Sequence, residues 1–284
     1  MIPQTFDYTA PKTLEEALGL LAQGAKPLAG GMSLIPMMKL RLAAPEHLVD
    51  LGRLKDLSYI RERNGAIHIG ATATHHDLET SAALKARCPL LAETAAHIGD
   101  VQVRNRGTIG GSIAHADPSA DYPAALQALE AKFVLQGVGS ERTVAAADFF
   151  VDTFTTSLDP GEIIREVIVP AEDSGEGTSY QKMFQPASGF AIVGVAARIR
   201  REGGKIAMAR IGVTGVSNCS YRARAAEKAL EGTGGSAADV ERAATLVMER
   251  VEANSDLHAS VDYRRHVATV YAKRAIASAM GRSA

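Results

Sequence analysis

Two short glycine-rich segments carry the residue types that can bind a phosphate group. They are Ala29-Gly30-Gly31-Met32-Ser33 and Thr108-Ile109-Gly110-Gly111-Ser112. Paired glycines let backbone N–H groups approach an anion without interference from a Cβ atom, and the neighbouring hydroxyl groups add further donors. A single Gly-Gly pair can equally be an ordinary turn. The occurrence of two similar segments in one chain favours a site for a pyrophosphate.

Neither segment belongs to the two commonest nucleotide-binding motifs. No Gly-Lys-Ser/Thr follows, as a P-loop requires, and the spaced glycines of a Rossmann turn are missing. The first segment lies between a predicted strand at residues 26–29 and a predicted helix at residues 34–42, which Ser33 opens. Unpaired N–H groups and the dipole at a helix N-terminus favour an anion. We therefore expect the phosphate between this strand and this helix.

The remaining elements predict an α+β fold. A capping box at residues 13–16 opens an amphipathic helix, and Asn64-Gly65 predicts a β-hairpin. Residues 74–98 and 122–130 read as helical, and residues 132–136, 142–144 and 163–169 as strands. After a polar linker at 171–177, strands at 179–184, 190–200 and 205–216 precede helices at 222–231, 236–252 and 262–280. This order predicts an antiparallel C-terminal sheet covered by three helices.

Composition excludes several classes of function. The 284 residues include 31 basic and 32 acidic side chains, so the basic bias of a nucleic-acid-binding protein is missing. No apolar run is long enough to span a membrane, and no signal peptide is recognisable, so we expect a cytoplasmic protein without a membrane span. Cys88 and Cys219 are the only cysteines. An iron–sulfur cluster ordinarily needs four thiolates, so this chain is predicted to hold neither such a cluster nor another metal.

Residues 29–41 together with residues 108–111 resemble the FAD-binding (medium) subunit of molybdenum hydroxylases, the family of carbon monoxide and xanthine dehydrogenases. The resemblance implies a two-lobed FAD-binding domain of the vanillyl-alcohol-oxidase type at 1–175, with lobes at about 1–55 and 56–175, and a C-terminal α+β domain at 176–284. It implies FAD on this chain and electron transfer to an external acceptor. It places the molybdopterin cofactor on a large partner subunit and two [2Fe–2S] clusters on a small one, in a dimer of heterotrimers. No catalytic acid or base is then expected on this chain.

The same resemblance implies roles for residues outside the glycine segments. These residues are His115 near the phosphates, Asp121 at a ribose hydroxyl, and Ile164, Lys182 and Phe190 around the flavin. Other interpretations stay open, because Asp117 or Asp121 could cap the helix that follows, and Phe190 could be the first core residue of a strand. His75 and His76 are predicted to face solvent without a role.

One stretch departs from the family pattern. The carbon monoxide enzymes have Gly-Asp-Tyr-Ala where this chain has Ser188-Gly189-Phe190-Ala191. An aromatic ring is retained, but the carboxylate and the phenol hydroxyl that could tune the flavin are lost. Carbon monoxide is therefore not implied as the substrate. Two alternatives remain, a self-contained flavin oxidoreductase of the same fold and a structural subunit without flavin, and the intact glycine segments argue against the second.

Overall fold

The N-terminal lobe is a small parallel sheet. The computed structural model describes residues 2–173 and 175–283. This lobe contains β1 (Asp7–Thr9), α1 (Leu14–Ala22), β2 (Lys26–Leu28), α2 (Leu34–Lys39) and β3 (His47–Asp50). The sheet has the order β1-β3-β2 with parallel pairing throughout, so β2 is an edge strand. The first glycine segment continues directly from this edge strand.

The second lobe is a five-stranded antiparallel sheet with helices packed on one face. Its elements are β4 (Ile60–Arg63), β5 (Ala66–Gly70), α3 (His75–Thr80), α4 (Ala82–Arg87), α5 (Pro89–Ala96), α6 (Val101–Arg104), α7 (Ile109–His115), α8 (Tyr122–Ala128), β6 (Lys132–Gly137), β7 (Ser140–Ala145), α9 (Ala146–Phe149), β8 (Phe150–Asp152), β9 (Thr155–Thr156) and β10 (Ile163–Pro170). The strand order is β4-β5-β10-β6-β7, with β8 and β9 forming a separate hairpin. Asn64 and Gly65 both have positive φ and close the predicted β4–β5 hairpin.

The C-terminal part is the predicted antiparallel sheet with three helices. It comprises β11 (Glu176–Phe184), β12 (Ala191–Glu202), β13 (Lys205–Thr214), β14 (Tyr221–Arg222), α10 (Arg224–Leu230), α11 (Ala237–Thr245) and α12 (Val261–Arg282). The strands lie in sequence order, and the alanine-rich faces of the helices pack on them. The α+β fold predicted from sequence is confirmed.

Some predicted boundaries are wrong. The helix predicted for residues 236–252 ends at Thr245, because the chain continues as turns and Arg250 adopts a left-handed conformation with φ 60°. The helix predicted for residues 34–42 ends at Lys39 for the same reason, since Arg41 also has φ 60°. The division of domains at residues 175 and 176 stays a prediction. Met1, and Ser174 within the predicted linker, lie outside the described residues.

Within the described residues, buried apolar side chains form three clusters, centred on the first lobe, the second lobe and the C-terminal sheet. The largest fills the second lobe around Ile67, Leu91, Tyr122 and Phe133, all of them buried. In the described ranges, no helix combines the length and the apolar character needed to cross a membrane. The first glycine segment lies between β2 and α2 of the first lobe, and the second lies at the N-terminus of α7 in the second lobe.

Candidate functional site

The first glycine segment presents a row of backbone donors. Within the part of the chain that the structure describes, the N–H groups of residues 30–33 have no protein acceptor. Gly31 has φ 74°, a conformation that favours glycine. Ser33 precedes α2, and its hydroxyl makes no capping hydrogen bond. Because α2 has only six residues, these N–H groups, rather than a long helix dipole, make the segment suited to an anion.

The chain immediately before the second glycine segment packs against Gly30 of the first segment. A Cβ atom on Gly30 would lie 2.1 Å from the carbonyl oxygen of Arg106 and 2.7 Å from Cα of Gly107. Glycine is therefore needed at this position for close packing as well as for the approach of an anion to the backbone N–H groups. The structure brings together the two segments that the sequence separates by more than seventy residues.

The second segment uses its backbone donors differently from our expectation. The N–H groups of Ile109, Gly110 and Gly111 donate to Ala73 O at 3.0 Å, Ala71 O at 2.9 Å and Thr108 Oγ1 at 3.1 Å. The expectation that these paired glycines offer free N–H groups is therefore wrong. The remaining donors are the Thr108 N–H and the hydroxyl hydrogens of Thr108 and Ser112, for which the described residues provide no acceptor.

The two glycines of this segment have different packing roles. A Cβ atom on Gly110 would lie 2.5 Å from Cβ of Ala71, so this glycine permits close packing of α7. Gly111 is exposed, and a Cβ atom there would closely approach only the Thr108 hydroxyl, at 2.8 Å. Gly111 therefore leaves open surface at the N-terminus of α7.

His75 is buried beneath the second segment, so the prediction that it faces solvent is wrong. It is 4 % exposed, its Nδ1 lies 3.2 Å from the Tyr122 hydroxyl, and its backbone N–H donates to Gly107 O at 2.9 Å. Burial, assisted by the positive charge of Arg104, lowers the pKa of His75 to about 4. His76 is exposed, as predicted.

His115 lies at the C-terminal end of α7 and packs against an aromatic ring that sequence reasoning missed. Its ring centroid is 5.0 Å from that of Phe154, whose N–H donates to Ala116 O at 3.2 Å. Burial lowers the pKa of His115 although Asp117 opposes the shift, so the imidazole is neutral at pH 7. No motif marks Phe154, which stands in the β8–β9 turn with φ 51°.

Asp121 and Lys182 form a buried ion pair that links the second lobe to β11. The Lys182 ammonium lies 2.9 Å from the Asp121 carboxylate and also donates to His97 O at 2.9 Å. The Tyr180 hydroxyl donates to the same carboxylate at 2.5 Å. Burial raises the pKa of Asp121, and Lys182 and Tyr180 oppose the shift. Tyr180 was missed, although its spacing from Lys182 along a strand places both on one face.

The helix-cap interpretation of Asp121 is wrong, since the Asp121 side chain makes no capping hydrogen bond to α8. Asp117 instead accepts from the Ser119 N–H at 2.8 Å, which closes a turn before α8. Both oxygens of Asp121 have protein partners, yet a carboxylate offers about four acceptor positions. The carboxylate therefore keeps the capacity to accept one more donor.

Phe190 and Ile164 occupy contrasting environments. Phe190 is 44 % exposed and precedes β12 in a tight loop, in which Gln185 N–H donates to Phe190 O at 2.9 Å. The alternative that Phe190 belongs to the core is therefore wrong. Ile164 is buried in β10, within the core beside α7.

Comparison with protein families identifies the class to which this fold and site belong. Residues 4–172 match the FAD binding domain in molybdopterin dehydrogenase, and residues 178–279 match the CO dehydrogenase flavoprotein C-terminal domain. The chain thus belongs to the family of FAD-binding subunits of molybdopterin dehydrogenases and is an oxidoreductase subunit with FAD as its cofactor. The free N–H groups of the first segment and the Cβ-free surface at Gly111 fit the pyrophosphate of that cofactor.

Individual relatives extend over the full chain. It is 43 % identical to the carbon monoxide dehydrogenase medium chain of Hydrogenophaga pseudoflava, with 100 % of both chains covered. It is 37 % identical to the glyceraldehyde dehydrogenase medium chain of Sulfolobus acidocaldarius, with 97 % of this chain and 98 % of the relative covered. The solved carbon monoxide dehydrogenase of Hydrogenophaga pseudoflava superposes with a TM-score of 0.97 at 45 % identity and full coverage of both chains.

Proposed function

We propose that the chain is the electron-transfer subunit of a three-subunit molybdenum hydroxylase. A large subunit with the molybdopterin cofactor would oxidise the substrate, and a small subunit with two [2Fe–2S] clusters would deliver electrons to the FAD of this chain. An external acceptor would then receive them. The observation that carries the proposal is the row of free N–H groups at residues 30–33, where the chain before the second glycine segment packs against the first. Full-length similarity to medium chains supports it.

In this proposal the glycine segments hold the cofactor's pyrophosphate. The first segment supplies backbone donors from Gly30 to Ser33, and Thr108 and Ser112 supply hydroxyl groups. Backbone donors fixed in advance bind an anion without a further ordering cost. His115 stays neutral beside these donors, so it can act as a hydrogen-bonding group without adding charge. No cation is present within either segment, so the site depends on oriented dipoles.

The flavin end is proposed to lie where the second lobe meets the C-terminal sheet. Lys182 is held by Asp121 and His97 O, so its ammonium has a fixed position at this end. Asp121 has acceptor capacity left for a ribose hydroxyl, Phe190 offers an exposed ring face, and Ile164 closes the core behind α7. Bound FAD supplies the redox chemistry, and the protein supplies position, electrostatics and shielding.

The substrate of the complex is not decided by this chain. The names of its relatives refer to carbon monoxide, glyceraldehyde and nicotine-derived compounds, although all align over nearly the whole chain. In the proposal, substrate reacts on the large subunit, so the electron-transfer role is the same for each. The dimer of heterotrimers and the cytoplasmic location stay predictions from sequence.

Reconstitution tests the proposed function. The purified chain should be yellow, should release non-covalent FAD on denaturation, and should show no flavin bleaching with aldehydes, N-heterocycles or carbon monoxide under anaerobic conditions. Addition of the iron–sulfur and molybdenum subunits should make the flavin reducible by the substrate of the complex. Bleaching of the homogeneous isolated chain by such a substrate would instead identify a self-contained flavin oxidoreductase. A colourless chain that takes up no FAD would contradict both.

A further inference from the structure

The C-terminal sheet ends on the loop that leads to Asp121. Gly194 and Thr214 form the last residue pair between β12 and β13. Beyond that pair, the Ala191 N–H donates to Ser119 O at 3.2 Å, and the Gly215 N–H donates to Pro118 O at 2.8 Å. The diverging strand ends therefore bond to the loop at residues 118–120 instead of to each other.

One buried arginine joins these two strand ends. Arg264 of α12 is 3 % exposed, and its Nη1 donates to Ile192 O at 2.7 Å and also to Gly215 O. Its Nη2 donates to Asp256 at 2.6 Å. Among the described residues Nε has no partner although it is buried, so the guanidinium is not fully satisfied by this arrangement. A buried cation is costly, and removal of this arginine would leave the carbonyl groups that it binds unpaired.

Arg264 binds two carbonyl groups that lead to the candidate flavin site, one by two residues of chain and the other through a hydrogen bond. The Gly215 N–H donates to Pro118 O, and Gly215 O accepts from Arg264. Ile192, whose carbonyl oxygen accepts from Arg264, is two residues after Phe190. The residue between them, Ala191, donates its N–H to Ser119 O. We propose that Arg264 is a positioning residue of the flavin site, which acts through these strand ends to fix Phe190 and the loop before Asp121.

This inference rests on the proposed placement of Phe190 and Asp121 at FAD. Thr214 offers an independent test of it, because its hydroxyl lies 2.9 Å from Pro118 O and 2.7 Å from Ala120 O. Thr214→Val removes that hydroxyl at nearly constant volume and leaves the arginine untouched. If hydrogen bonds from the C-terminal sheet fix the loop at residues 118–120, Thr214→Val and Arg264→Met should change the flavin signals in the same way.

The experiment compares FAD-loaded full-length variants. Arg264→Met, Arg264→Lys and Thr214→Val are examined by visible circular dichroism of the flavin, midpoint potential, FAD dissociation constant and Tm. Arg198→Met is the matched control, because Arg198 is also buried but binds Glu176 at the opposite end of the same sheet. We expect the Arg264→Met and Thr214→Val proteins to bind FAD roughly tenfold more weakly, as lost buried hydrogen bonds imply, and to share an altered flavin band and potential. Arg264→Lys should fall between these and the wild type.

The Arg198→Met control should have a lower Tm than the wild type. Its flavin circular dichroism, midpoint potential and FAD dissociation constant should be unchanged. The proposal is overturned if the folded Arg264→Met protein keeps the wild-type flavin band, potential and FAD affinity. It is also overturned if Arg198→Met changes these three quantities as much as Arg264→Met does, relative to the decrease in Tm of each variant. If Arg264→Met does not fold, Thr214→Val decides by the same readouts. Failure of the wild-type chain to bind FAD would refute the proposed function itself, and that result is obtained before any variant is made.

Discussion

At the scale of single residues, Gly30 has the least room of the glycines that form the candidate cofactor site. A methyl group there would lie 2.1 Å from a backbone oxygen, so Arg106 and Gly107 would have to move away from the first segment. Backbone atoms cannot move as a flexible side chain does. This contact therefore depends on this one missing side chain.

We predict that Gly30→Ala weakens FAD binding by more than tenfold and lowers the free energy of unfolding by about 1–3 kcal/mol, through overpacking at this contact. Gly19→Ala is the control, because Gly19 lies within α1 and a Cβ atom there meets no atom within 4 Å. That control should keep wild-type FAD affinity and gain about 0.5–1 kcal/mol of stability. FAD titration and urea unfolding measure both. Equal affinities for the two variants would show that the segment is an ordinary turn.

A second residue-scale prediction concerns Phe190. Stacking contributes only about 0.5–1.5 kcal/mol beyond area burial, so Phe190→Ala should retain FAD while its redox potential and oxygen reactivity change. Phe184→Ala is the comparison, since Phe184 is also exposed and the family resemblance assigns it no role at the flavin. Potentiometry and stopped-flow reoxidation give the readouts. An unchanged potential and reoxidation rate in the Phe190→Ala protein would remove Phe190 from the site.

At the scale of elements, the second glycine segment is held by pairing with the chain just after β5. Residues 71–75 and 107–110 exchange backbone hydrogen bonds, and Thr74 and Thr108 form an antiparallel bridge. His75 stands in this pairing and is covered by Tyr122 of α8. Burial of a neutral imidazole at this position makes the support of the segment sensitive to acid.

The pH dependence of stability should reveal His75. Its folded-state pKa of about 4 lies below the unfolded value of 6.5, so the unfolded chain binds the proton first as the pH falls. The contribution of neutral His75 is complete above pH 6.5 and is lost as the pH falls towards 4. Between pH 7 and pH 5 this amounts to about 2 kcal/mol.

Urea unfolding of the apoprotein at these two pH values measures the loss. His75→Gln should show about 2 kcal/mol less pH dependence than the wild type. His76→Gln should match the wild type, because His76 is exposed. Identical pH profiles for the two variants would contradict the assignment of acid sensitivity to His75.

Local elements could be predicted from the sequence, whereas contacts between distant elements could not. The strand and helix around the first glycine segment, the Asn64-Gly65 hairpin and the C-terminal sheet depend on local residue types and were predicted correctly as elements. The burial of His75 depends on a pairing with residues more than thirty positions away, and the loss of free N–H groups at Gly110 depends on Ala71. Neither segment alone determines how residues 71–75 pair with residues 107–110, so these features were missed.

At the scale of the whole molecule, exposed apolar side chains are concentrated at the N-terminus. Of the fifteen large apolar side chains exposed in the described residues, seven lie before residue 43: Ile2, Phe6, Tyr8, Met32, Ile35, Leu40 and Leu42. Scattered exposure of single apolar residues is normal, but such a concentration is typical of an interaction surface. The first lobe also carries the free donors of the first glycine segment. A partner that delivers electrons to the flavin would therefore be expected on this lobe.

We predict that Leu42→Asp prevents assembly with the iron–sulfur and molybdenum subunits while FAD loading stays normal. Leu42 is 72 % exposed, so a carboxylate costs little in the free chain, whereas burial of that charge in an interface is strongly unfavourable. Leu257→Asp is the control, because Leu257 is 90 % exposed in the C-terminal part, before α12. Size-exclusion chromatography of the mixed subunits should give the complex for the control and separate components for Leu42→Asp, and substrate should reduce the flavin only in the control. Assembly of both variants with equal yield would show that the partner does not bind at Leu42.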